Sequence, residues 1–111
     1  MKIVDQYRNF CYKLNCDVSA AAVRKHNRAM DNLFKLFIQI KEIDNKAFML
    51  DLIQDPDPRV RLISASDCLK LDIYVEESLN VLDLLEHSRV DPWIKCDAHF
   101  TIELWNEGKL K

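Results

Sequence analysis

Four cysteines and three histidines are the residues of widest chemical range in this 111-residue chain. Cys11 and Cys16 are near neighbours, Cys68 and Cys96 stand apart, and His26, His87 and His99 complete the set. A structural zinc site uses Cys or His pairs roughly two to four residues apart, with a second such pair close by. Cys11/Cys16 alone approaches that spacing, and it straddles an expected helix end, so no metal set is expected. Cys96 and His99 lie three residues apart on one expected helix and share a rough face. They are the nearest approach to a thiol nucleophile with its base. The chain has one glycine, so neither an oxyanion-hole turn nor a phosphate cradle is expected around any candidate. Carboxylate pairs recur at Glu76/Glu77, Asp83/Glu86 and Glu103/Glu107. Acid-base work on a glycoside needs two carboxyls facing across a cleft, one with a raised pKa. These sit on polar helix faces, where water solvates them. The expectation is no catalytic residue, no metal and no cofactor.

Charge offers a different chemistry. From Asp67 to Glu107 there are ten acids and three bases, although the whole chain carries only −2. Such a surface disfavours nucleic acid and favours a basic partner. Tyr74 and Trp93 lie within it, and tryptophan is enriched where binding energy concentrates. The candidate contacts are Tyr74, Glu76, Glu77, Asp83, Glu86, Asp91 and Trp93. The plainer readings are a solvated helix face for the acids and helix-end packing for the aromatics.

The elements that must position these residues are helical. Hydrophobic residues make up 49% and charged residues 31%, which is a globular composition. Strand-rich folds need many tight turns, and a chain with one glycine and three prolines is poorly supplied with them. Apolar periodicity predicts six helices, over about 2–15, 19–42, 45–54, 58–70, 74–87 and 92–106. Asp17 or Ser19, Asp44, Asp57 and Asp91 are the expected N-caps. Pro58 and Pro92 fit the first helical position, where a missing N–H costs nothing. The long second helix presents Ala22, His26, Met30, Leu33, Phe37 and Ile40, with Phe34 and Leu36 widening the stripe. It is the expected central helix, with His26 a satisfied core histidine. Gly108 falls where a helix end takes a left-handed residue.

Asp57-Pro58 and Asp91-Pro92 lie 34 residues apart. In that register Val60 falls on Ile94, Arg61 on Lys95, Ser64 on Ala98 and Cys68 on Ile102. The pattern is an imperfect helical repeat, with units over about 44–71 and 74–107 inside one domain spanning 1–111. Arg61 and Lys95 read as inter-unit ion-pairing residues. The stretch "LIQDPDPRVRLISASDCL" resembles a HEAT-repeat unit. From "KHNRAMDNLFKL" to "DAHFTIELWNEGKL", about residues 23–111, the chain resembles a bacterial family of small single-domain proteins of unknown function with HEAT-like helical pairs. Its ending, "TIELWNEGKL", is the most distinctive piece. Ser64 and Ser66 depart from the alanine-rich run usual in such repeats.

The resemblance implies an all-α, HEAT/armadillo-like short superhelix of about six helices in antiparallel pairs. It brings no catalytic residues. Some similar proteins look like immunity proteins that neutralise secreted polymorphic toxins by binding them. The expected function is therefore a non-catalytic protein-binding module, an immunity protein holding a basic toxin domain, a nuclease by preference, on its acidic C-terminal half. The alternatives are a HEAT-type adaptor or scaffold and, last, a small hydrolase. A monomeric cytoplasmic protein is expected, with no membrane span, no signal segment and no direct nucleic-acid contact.

Overall fold

The computed structural model describes residues 1–110 and has no strand among them. Its six helices are α1 (Lys2–Cys11), α2 (Ala20–Lys41), α3 (Phe48–Ile53), α4 (Pro58–Lys70), α5 (Val75–Glu86) and α6 (Pro92–Asn106). The all-α expectation of six helices is met. The chain divides into two compact units, Met1–Phe48 and Met49–Lys111.

In the first unit α1 packs on α2. Val4, Tyr7, Cys11 and Leu14 are buried, a helical spacing that sets one face of α1 inward. The connector then winds through side-chain turns: Asn15 accepts from the Asp17 N–H, and Asp17 from the Ser19 N–H, both at 2.9 Å. Ser19, rather than Asp17, caps α2 by accepting from the Ala22 N–H at 3.3 Å. His26 Nδ1 accepts the Asn15 N–H at 3.2 Å, so this histidine is satisfied within the unit. The buried stripe of α2 is Ala29, Leu33, Leu36 and Ile40. Met30 lies off it, because the exact helical period carries the stripe from residue 26 to residue 29. Leu36 joins the buried stripe, but Phe34 is 63% exposed. Helix α2 is thus buried along a single stripe.

The second unit is organised round α4, which packs on both α5 and α6, while α5 also packs on α6. Val60, Leu62, Ser64, Ala65, Asp67, Cys68 and Leu69 of α4 are all buried, so it is covered on most sides. The register of the two Asp-Pro starts holds in burial: Val60 and Ile94 are both buried, as are Ser64 and Ala98. Small side chains at 64 and 98 permit close helix approach. Ser64 meets the demand for a partner locally, its hydroxyl donating to the Val60 carbonyl at 2.6 Å. Fully burying a leucine or isoleucine stabilises by roughly 1.5–3 kcal/mol. Leu52, Ile53, Leu62, Leu69, Leu82, Leu85 and Ile94 are among the aliphatic side chains buried in this unit.

Helix starts and stops have local causes. Helix α3 starts at Phe48, later than an Asp44 cap would place it, and Asn45 Oδ1 instead accepts the Ala47 N–H at 3.0 Å. In "DPDP", Asp55 accepts the Asp57 N–H at 2.9 Å and Asp57 accepts the Arg59 N–H at 2.8 Å. Each carboxylate reaches over a proline, which has no N–H, to the next available donor. Helix α6 starts with Pro92 as expected, but Asp91 makes no side-chain cap bond. At the other ends, α4 and α6 stop in the same motif. Ile73 donates to the Cys68 carbonyl and Asp72 to that of Leu69; Lys109 donates to Leu104 and Gly108 to Trp105. The residue that turns left-handed is Asp72 (φ 57°) in one case and Gly108 (φ 70°) in the other. Aspartate tolerates this region better than most residues.

Candidate binding surface

Helix α5 carries most of the expected contacts. Glu76 and Glu77 are exposed in its first turn, where carboxylates favour the positive end of the helix dipole. Glu76, Asn80, Asp83 and His87 follow at spacings of four, three and four, so they line one exposed face. Tyr74 is the N-cap residue, half-buried, with a left-handed backbone at φ 47° and no capping side-chain bond. A bulky residue in that region is strained, and the local structure must hold it there. Asp91 is exposed and Trp93 half-buried at the start of α6. Helix α5, about 18 Å long at 1.5 Å per residue, runs between Tyr74 and the loop leading to Trp93.

Glu86 is not a free surface acid. Its Oε1 lies 2.5 Å from His99 Nδ1 on α6, and His99 Nε2 lies 2.9 Å from Glu103 Oε1. The imidazole ring thus links α5 to α6 between two carboxylates. The Glu86 hydrogen bond first, and the Glu103 charge second, hold the His99 pKa above its ordinary 6.5. Protonated, the ring donates from both nitrogens. Both are then occupied by carboxylates, so neither ring nitrogen is free for the exposed thiol of Cys96. The three-residue spacing along α6 sets His99 beside Cys96, but the partner it meets comes from the facing helix.

Asp83, Glu86 and His87 each offer one ligand atom, and these atoms lie within 4.8 Å of one another. Among the described residues this is the one His/carboxylate group with that convergence. The signal in the sequence was "DLLEH", an i, i+3, i+4 register that places all three on one side of a helix. Asp83 and His87 already pair with each other, His87 Nδ1 lying 3.5 Å from Asp83 Oδ1.

The remaining candidates are structural. Cys68 is buried, and removal from water raises its thiol pKa to about 12. The Ser78 hydroxyl beside it pulls the other way, although its Oγ makes no hydrogen bond of normal geometry. Arg59 turns back on Asp57, with Nη2 2.7 Å from Oδ2. Arg61 does not show the expected ion pairing at its Nε, which is buried without a hydrogen-bond partner, while the matching Lys95 is exposed. No helix of the described residues is long and apolar enough to cross a membrane. No protein-family model, no curated protein and no solved structure matches this chain.

Proposed function

We propose that the chain is a non-catalytic protein-binding module that grips a basic partner with the outer face of α5 and the start of α6. The reading takes the second unit as a HEAT-like helical stack and the partner as a toxin domain that it neutralises, in the cytoplasm. One observation carries it: residues 75–107 hold eight acids against two bases, with Glu76, Glu77, Asp83 and Asp91 all exposed. An acid-lined face of this kind steers a basic protein and raises its association rate. The toxin is blocked when its basic substrate surface is covered. Glu86 contributes less of this field than the others, because His99 already pairs with it.

The test is to read the gene's neighbours for a basic toxin domain and co-express any such domain with the chain, followed by purification and rate measurement. Wild type should co-purify and protect cells. Reversing Glu76, Glu77 and Asp83 to Lys should slow association at low salt by at least about tenfold. An unchanged on-rate moves the interface elsewhere, and failure both to co-purify and to protect removes the immunity reading.

A further inference from the structure

The chain carries two exposed apolar stripes of opposite electrostatic setting. On α2, Val23, Met30, Phe34 and Ile38 are spaced seven, four and four residues apart, so they share one face. All four are exposed, Phe34 by 63% and Ile38 by 49%. The helix around them bears five bases and one acid, every one of them exposed. On α6, half-buried Trp93 and exposed Phe100 and Leu104 repeat the same seven-and-four spacing. Phe100 is 58% exposed and Leu104 39%. Asp97 and Glu103 on that helix and Glu107 just past it are also exposed, with Lys95 the one base. Charge divides along the chain in the same sense. Residues 1–48 hold nine bases and five acids, and residues 49–111 hold seven and thirteen, so the units carry +4 and −6.

The stripes are complementary in charge, and the α6 stripe, about 16 Å long at 1.5 Å per residue, fits within the α2 stripe of about 22 Å. Each stripe leaves a phenylalanine largely in water, Phe34 on α2 and Phe100 on α6. We infer that the chain associates head to tail with a second copy of itself. The basic apolar face of α2 in one copy seats on the acidic apolar face of α6 in the next. Phe34 and Phe100 are the central apolar contacts, and the surrounding bases and acids set the orientation. Such a contact uses two different patches. Each copy then offers one patch to each of two contacts, which close into a ring of two or more copies or extend into a filament.

Sedimentation equilibrium and light scattering on the full chain test this. Wild type should exceed its 13.1 kDa chain mass increasingly with concentration at low salt. The excess should fall as salt screens the charges. Phe34→Glu and Phe100→Lys should each hold the chain at 13.1 kDa, because each destroys one patch. Mixed together, they should recombine into a complex of two chains and no more, since each variant keeps the patch the other has lost. Ile38→Glu with Leu104→Lys repeats the test at two other exposed positions, should either phenylalanine variant fold poorly. A wild type that stays at 13.1 kDa up to millimolar concentration overturns the inference. So do single variants that still self-associate, or two folded variants that fail to recombine.

Discussion

Replacing Asp57 by Ala and, separately, Asp91 by Ala should destabilise the protein unequally, although the two positions are equivalent in the 34-residue register. Asp57 Oδ1 accepts the Arg59 N–H at 2.8 Å and the Arg59 Nε–H at 3.0 Å, while Oδ2 takes Nη2 at 2.7 Å. Losing an N-cap of this kind costs about 1 kcal/mol. The Asp57–Arg59 ion pair is partly exposed, with side-chain accessibilities of 22% and 29%, and solvent screens it. It adds no more than about 0.5 kcal/mol. Asp57→Ala should therefore cost about 1–1.5 kcal/mol, lowering Tm by roughly 4–8 °C for a chain of this size. Asp91 makes no side-chain cap bond, so Asp91→Ala should stay within about 0.5 kcal/mol of wild type. Asp57→Asn keeps a capping oxygen and should recover most of the loss.

The Asp57 effect should also depend on pH. Its bonds with Arg59 lower the Asp57 pKa below the ordinary 3.8. A depressed carboxylate contributes stability above its unfolded value and loses it as pH falls through the folded one. Wild type should accordingly approach Asp57→Ala in strongly acid solution. Thermal melts followed by far-ultraviolet circular dichroism, at neutral and acid pH, read all of this. Equal losses at 57 and 91, or a larger one at 91, would refute the reasoning.

Two further measurements address the second unit. His99 should titrate above 6.5 by NMR, and Glu86→Gln should bring it down; a titration at or below 6.5 in wild type contradicts the bridge. Because its folded pKa is raised, the stabilisation it gives is complete below 6.5 and fades as pH rises through the folded value, so His99→Gln should flatten that part of the stability–pH curve. Cys68, with its thiol pushed up to about 12 and its side chain buried, should resist alkylation in the native state while exposed Cys16 and Cys96 react; mass-resolved labelling of native protein at the Cys68 peptide would disprove that burial.

Much of this molecule follows from short-range rules that sequence displays directly. Six helices, the proline-led starts at 58 and 92, the Ser19 and Asp57 caps and the left-handed stop at Gly108 each involve groups within a few residues of one another. Their hydrogen bonds and steric limits are the same wherever the segment packs. The register pairing Val60 with Ile94 and Ser64 with Ala98 was legible for a related reason: helical period fixes which residues share a face.

Tertiary structure decided which face meets a partner, and which polar groups meet across helices. Local chemistry still separates the two proline-led starts, since Arg59 clamps the Asp57 carboxylate whereas Trp93, at the matching position, has no charge with which to hold Asp91. Asp72 takes the left-handed turn that glycine takes at 108, and Tyr74 is held at positive φ, which composition does not announce. Glu86 reads as surface acid in sequence but becomes half of an interhelical pair, because packing α6 on α5 brings His99 to it. Phe34 reads as core in sequence and is left in water, because the hydrophobic effect rewards burial only where a neighbouring surface is present to exclude solvent.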